Sequence, residues 1–251
     1  MKSLRPRGHA PAASALKGSH RPITVLLFDI DGTLVLTGGA GGRAMTRAFH
    51  DLFAVRDGFA GIPMPGRTDA VILADAARAH GIPESSLDPF RQAYLDHLKR
   101  ELLRPAPPGS RSGVMPGVRA LLDALVERDD VFLALLTGNY REGARAKLEH
   151  FDLWRYFACG AFGDRARDRN MLLPAALAEV RAAGGPQAAA RDVVVVGDTP
   201  HDVACAQAGG ARSIAVATGS YGMDALRAAG ADEVFADFSD TDAVLTALAR
   251  P

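Results

Sequence analysis

The chain of 251 residues reads as an α/β protein, a Rossmann-like parallel sheet core with an all-helical segment inserted after the first strand. Three observations predict this. Short apolar runs recur along the chain, as expected of strands buried on both faces. Alanine-rich stretches with helical spacing lie between them, which implies right-handed crossovers and a parallel sheet. Residues 38–112 then break this rhythm, with helical patterns and no convincing apolar strand.

The elements follow in chain order. Residues 1–20 are rich in Ala, Pro, Gly, Ser and basic side chains, and are expected to be a disordered tail. They lack the continuous apolar stretch of a secretory signal. The run Ile23, Thr24, Val25, Leu26, Leu27, Phe28 predicts the first strand. The glycine-rich stretch 37–42 is expected to be a hinge, and helices are expected over 43–53, 69–80 and 88–103. Residues 104–113 are rich in Pro, Gly and Ser and read as a second linker. The expected organisation is therefore a helical cap over 38–112 and an α/β core built from 21–37 and 113–251. In the second part of that core, Val118, Leu121, Leu122 and Leu125 form one helical stripe. Leu172, Ala175, Ala176, Leu177 and Val180 form another. Further strands are predicted over 131–136, 193–196 and 213–217, with a weaker one over 233–236.

Composition narrows the functional classes. The 29 basic and 29 acidic side chains cancel, which argues against a general nucleic-acid binder and against an acidic disordered protein. No apolar run reaches the roughly 18 residues of a membrane span. Cys159 and Cys205 are too few for a disulfide framework or a zinc site, so a reducing, cytoplasmic setting is expected. A monomer or homodimer acting on a small molecule fits these bounds.

Ligands of an open parallel sheet bind at the carboxyl ends of its strands. After the first strand come Asp29, Ile30, Asp31, Gly32 and Thr33. After the second run come Thr137, Gly138 and Asn139, and after the third come Gly197, Asp198, Thr199, Pro200, His201 and Asp202. Asp29 and Asp31 stand two apart, which in extended chain puts both on one face. Converging carboxylates repel one another and call for a cation, and all-oxygen ligation suits Mg²⁺. Beside such a metal, one Asp could act as nucleophile and the other as proton donor, provided their environments differ. A carboxylate nucleophile fits a phosphoryl group, which it can carry as an aspartyl-phosphate.

These motifs, in this order, resemble the haloacid dehalogenase superfamily, in its phosphatase branch with a helical cap after the first motif. The resemblance covers about residues 22–240. It implies that Asp29 is the nucleophile and Asp31 the general acid and base. It implies that Thr137 and the Gly138 amide hold the phosphoryl oxygens. It implies Mg²⁺ ligation by Asp29, Asp198 and the Asp31 carbonyl, with Asp202 supporting the metal directly or through water. It implies a small phosphorylated metabolite as substrate.

One position departs from the family pattern, which places a Lys before a Pro upstream of the third motif. Residues 163–170 contain neither. Lys147, Arg169 and Arg167 are the candidate replacements, with Lys147 favoured because small residues flank it. An Arg would offer a planar fork in place of a point charge. In the insertion, Gly66, Arg67, Thr68 and Asp69 are similar to a segment of phosphoglycolate-phosphatase-like members, so Arg67 is a candidate contact to an anionic leaving group.

Other readings remain in view. A 2-haloacid dehalogenase needs no proton donor at this step, so Asp31 argues against it. A phosphosugar mutase keeps both acids and stays open. A phosphonate hydrolase would need a lysine in the insertion, where Lys99 lies late in a helix. A non-catalytic binding protein would be expected to have lost Asp29 or Asp198. Residues 39–44 satisfy a dinucleotide-binding pattern but lie ten residues beyond the strand end that pattern requires. His201 reads as an exposed loop histidine.

Overall fold

The computed structural model describes residues 23–164 and 166–248. The tail expected over 1–20 lies outside the described residues. Strand β1 (Thr24–Phe28) leads into a short strand β2 (Val35–Thr37), and helices α1 (Ala40–Phe53), α2 (Asp69–Ala79) and α3 (Phe90–Leu102) follow. Next come strand β3 (Ser112–Val114), helix α4 (Val118–Val126), strand β4 (Val131–Thr137) and helix α5 (Arg141–His150). The chain continues through β5 (Cys159–Phe162), α6 (Leu172–Ala182), β6 (Val193–Gly197) and α7 (Pro200–Ala208). It ends with β7 (Arg212–Val216), α8 (Met223–Ala228), β8 (Glu233–Phe235) and α9 (Thr241–Leu248).

Six strands form one parallel sheet in the order β5-β4-β1-β6-β7-β8. Successive side chains of a strand point to opposite faces. Leu26 and Phe28 accordingly join Leu135 and Val196 in the layer packed by α4, α5 and α9. Val25 and Leu27 join Leu136 and Val195 in the layer packed by α6 and α7. Both faces are covered, which is why these strands read as unbroken apolar runs. Each fully buried Val, Leu or Phe contributes about 1.5–3 kcal/mol relative to exposure. β1 is central, with β4 on one side and β6 on the other, so the residues following these three strands arrive at one edge.

The helices between β2 and β3 carry their own apolar cluster, centred on Phe49, Phe90, Tyr94 and Leu98. Phe49 meets Phe59 and Phe90 edge-on at 5.2 and 6.3 Å between ring centres. Glu101, buried beneath them, is neutralised by Arg43, Arg47 and Arg104. Among the described residues no helix is long and apolar enough to cross a membrane.

The segments flanking this insertion differ from the sequence reading. Thr37 pairs with Ser112, and Leu36 with Gly113, in an antiparallel ribbon of β2 and β3. Three-residue strands are too short to show a periodicity. Only Gly38 and Gly39 (φ 59° and 79°) take the left-handed conformation that favours glycine; Gly41 and Gly42 already lie in the first turn of α1. Strand β5 also went unpredicted. Its run Cys159-Gly160-Ala161-Phe162 is poor in β-branched residues, and Gly160 is needed because a Cβ there would lie 2.7 Å from that of Leu135.

Candidate active site

The carboxyl edge of the sheet and the inner wall of the insertion enclose a cavity of about 240 Å³. Asp29 and Asp31 reach it from the end of β1, Thr137 and Gly138 from the end of β4, and Asp198 from the end of β6. Lys147 reaches it from α5 and Arg169 from the 3₁₀ turn that precedes α6. Arg67, Met45, Met64 and Ile72 line it from the insertion.

The polar groups fall into two clusters. In the first, Asp29, Asp198 and Asp202 each bring an oxygen within 4.8 Å of the others, and all three are buried. The Arg169 guanidinium lies among them, its Nη2 donating to Asp29 Oδ1 at 3.1 Å and to Asp202 Oδ1. Asp202 is held from its other oxygen by the Thr199 amide and hydroxyl, at 3.1 and 2.7 Å, in a capping box that opens α7. Thr33 donates to Asp198 Oδ1 at 3.1 Å. Burial pushes the Asp29 carboxyl up to about 6, against the pull of Arg169 and with the repulsion of Asp202 and Asp31 adding to it. Burial, with repulsion from Asp29 and Asp202, drives Asp198 well above the usual carboxylate range.

That cluster fits a divalent cation. Three buried carboxylates face a single guanidinium, so negative charge is in excess and a further cation would relieve it. The chain also leaves no spare room around Asp198: a Cβ on Gly32 or Gly219 would stand 2.4 or 1.7 Å from its Oδ2. An all-oxygen donor set matches Mg²⁺.

In the second cluster, Lys147 Nζ donates to Asp31 Oδ2 and to Asn139 Oδ1, each at 2.6 Å. Asn139 Nδ2 donates to Asp31 Oδ2 and to Thr137 Oγ1, each at 2.8 Å. The side chain of Asp31 remains 42% exposed, whereas that of Asp29 is only 6% exposed. Two neighbouring carboxylates thus occupy different environments and are paired with different cations.

The insertion docks on both clusters through residues 66–69. Arg169 Nη1 donates to the Gly66 carbonyl at 2.9 Å. Thr68 donates to the Ala166 carbonyl at 2.7 Å and accepts from the Val71 amide at the start of α2. The Asp69 amide donates to the Gly138 carbonyl at 2.7 Å, and Asp69 Oδ2 accepts from the Tyr140 amide at 2.8 Å. Gly66 (φ 73°) must lack a side chain, since a Cβ there would stand 2.5 Å from Thr199 Oγ1.

The remaining candidates are placed as follows. Arg67 lines the cavity, but its guanidinium donates to Asp75 Oδ2 at 2.5 Å and to the Pro63 carbonyl at 3.0 Å. Arg167 is exposed, 3.7 Å from Glu84, and does not line the cavity. His201 is exposed on α7. Asn139 and Asp69 are two residues of the site to which the sequence motifs assign no role. Asn139 stands inside the second motif and was visible there; Asp69 looks like any first-turn acid until its partner, Tyr140, is known.

Residues 23–210 match a family model described as haloacid dehalogenase-like hydrolase. A phosphoglycolate phosphatase of Rhodospirillum rubrum is 34% identical over 217 residues, covering 85% of this chain and 87% of that protein. A phosphoglycolate phosphatase of Agrobacterium fabrum is 30% identical over 203 residues, covering 79% and 83% respectively. The crystal structure of a hydrolase from Pseudomonas syringae has the same fold, with a TM-score of 0.66 at 20% identity over 90% of this chain and all of that one.

Proposed function

The chain belongs to the haloacid dehalogenase-like hydrolases, and from that premise we propose that it is a Mg²⁺-dependent phosphatase of a small phosphorylated metabolite. One observation carries the reading. Asp29 and Asp31 face one cavity, yet Asp29 is buried against Arg169 while Asp31 stands half-open against Lys147. Carboxylates in contrasting environments can divide the labour of nucleophile and proton carrier.

Asp29 attacks the phosphorus of the bound ester, and the bond to the leaving oxygen breaks as an aspartyl-phosphate forms. Asp31 delivers its proton to that leaving oxygen. Water then attacks the phosphorus and gives a proton to Asp31, and the bond to Asp29 breaks to release phosphate. Thr137 and the Gly138 amide hold the phosphoryl oxygens. Arg169 takes the place of the family's missing lysine, because it is the cation in contact with the nucleophile. Lys147, the replacement favoured from sequence, instead serves Asp31. Asp29, Asp198 and the Asp31 carbonyl would hold Mg²⁺, with Asp202 supporting it directly or through water while also binding Arg169. Mg²⁺ held there would supply charge neutralisation for the phosphoryl group. The helices of 38–112 act as a cap over the site, excluding water while the ester is bound. Free Cys159 and Cys205 suit a reducing cytoplasm.

The test is turnover of p-nitrophenyl phosphate with Mg²⁺. EDTA should stop it and added Mg²⁺ restore it; metal-independent turnover would count against the carboxylate cluster as a metal site. A panel of phosphate monoesters that includes phosphoglycolate, named for two relatives, identifies the substrate. If Arg169→Ala and Lys147→Ala both keep near-wild-type kcat, neither cation has the role given to it.

A further inference from the structure

Asn139 is a residue to which the reaction as described gives no part, yet it is buried at the centre of the second cluster. Its carboxamide touches three of the groups that the mechanism uses. One oxygen and one nitrogen do all of this: Oδ1 accepts from Lys147, and Nδ2 donates to both Asp31 Oδ2 and Thr137 Oγ1. The partners fix the amide's orientation. Turned over, it would set its carbonyl against the Asp31 carboxylate and its NH₂ against the Lys147 ammonium.

Two consequences follow from the donor and acceptor inventory. Thr137 Oγ1 receives the Asn139 carboxamide as a donor, so the hydroxyl's own proton is free to be given elsewhere. Asp31 receives Asn139 and Lys147 on the same oxygen, Oδ2, which leaves Oδ1 for the reacting ester. The backbone on either side is anchored too. The Asn139 carbonyl accepts from the Gly163 amide at 2.8 Å, and Asp69 binds the Gly138 carbonyl and the Tyr140 amide.

We propose that Asn139 is the positioning residue of the proton-transfer step, holding Asp31 by Oδ2 so that Oδ1 meets the leaving oxygen. This rests on the phosphatase reading and deepens it. Asn139 acts through Asp31, and its loss should be felt where a proton must be delivered. An alkyl phosphate has a poor leaving group and needs that proton as the P–O bond breaks. 2,4-Dinitrophenyl phosphate releases a stable phenolate and does not need it. kcat/KM reports steps up to formation of the aspartyl-phosphate, so it isolates this difference.

The experiment measures kcat/KM with Mg²⁺ for propyl phosphate and 2,4-dinitrophenyl phosphate. Asn139→Ala and the near-isosteric Asn139→Asp are compared with the unchanged protein; the second keeps the proposal testable should the first fail to fold. Some loss is expected on both substrates through Thr137. The expected signature is a rise of about 30-fold or more in the ratio of aryl to alkyl kcat/KM, a part of the roughly 10²–10⁴-fold that general acid catalysis supplies. Thr137→Val should lower both substrates and leave that ratio unchanged. Asp31→Asn should raise it, and adding Asn139→Ala to Asp31→Asn should raise it no further. An unchanged ratio in both Asn139 variants overturns the proposal, as does a full second rise in the double variant. If the unchanged protein hydrolyses neither ester, the phosphatase reading falls and this proposal with it.

Discussion

Asp29 and Asp69 are both buried carboxylates facing the same cavity, one from the sheet and one from the helical insertion. Asp29 sits in a group of like charges and has Arg169 in contact; its carboxyl is pushed up to about 6. Asp69 has a backbone amide as its contact, that of Tyr140, and burial pushes it up to about 7. On the core side, charge is concentrated and set against a cation. On the insertion side, Asp69 ties one backbone segment to another, with Lys147 favouring its charge and Asp31 and Asp164 opposing it. Two similarly buried acids thus differ in what surrounds them.

The largest effect expected from breaking this contrast is on the core side. Asp29→Asn should lower kcat on p-nitrophenyl phosphate by about 10⁴-fold or more. It removes a buried charge, so the folded state should persist in circular dichroism. Full residual activity would remove Asp29 from its role as nucleophile.

Next comes Arg169→Met, which leaves Asp29 and Asp202 without their cation and the Gly66 carbonyl without its donor. Removing one partner of a buried ion pair costs about 3–5 kcal/mol. Urea denaturation in EDTA should show that loss, and Mg²⁺ should recover part of it by supplying positive charge to the same carboxylates. Equal losses with and without Mg²⁺ would separate Arg169 from the metal cluster.

Asp69→Asn tests the insertion side through pH. The Asp69 carboxyl holds its proton up to about 7 when folded, against 3.8 for an ordinary aspartate carboxyl. Between those values the unfolded chain has lost a proton that the folded chain keeps, so this group makes stability fall as pH rises. Above about 7 both states are ionised and the loss is complete. Asparagine keeps an acceptor for the Tyr140 amide and carries no charge. The variant should match the unchanged protein near pH 4 and exceed it by up to about 4 kcal/mol at pH 8 in urea denaturation. A difference that does not vary with pH would contradict the assignment.

Thr68→Ala should have the smallest effect. It removes the side-chain cap of α2 and the bond to the Ala166 carbonyl. A lost cap costs about 1 kcal/mol. If residues 66–69 only dock the cap, KM should rise about threefold with kcat nearly constant, the mark of lost uniform binding. A large fall in kcat would draw this segment into the chemistry.

Legibility in the sequence followed the range of the interaction. Asp29, Asp31, Thr137 and Asp198 were legible because each directly ends or follows an apolar run, and a strand end in a parallel sheet has a known direction. Helices α2 and α3 were legible from their spacing. β2, β3 and β5 were not, because they are short or built from small residues that take their conformation from a neighbour. The hinge expected over 37–42 was half helix, since a run of glycines signals freedom without saying where it is used.

The sequence by itself determined five of the sheet's six strands, the order of the motifs and the set of carboxylates at the strand ends, since these depend on the chain within a few residues. Only the tertiary structure decided how the cations are shared. Lys147 and Arg169 are both long, flexible side chains downstream of the second motif, and nothing local distinguishes their targets. Their partners are set by where α5 and the turn before α6 pack against the sheet, which puts Lys147 on Asp31 and Arg169 on Asp29. The pairing follows from the positions of whole elements, because charge attraction in a buried site acts through space and not along the chain.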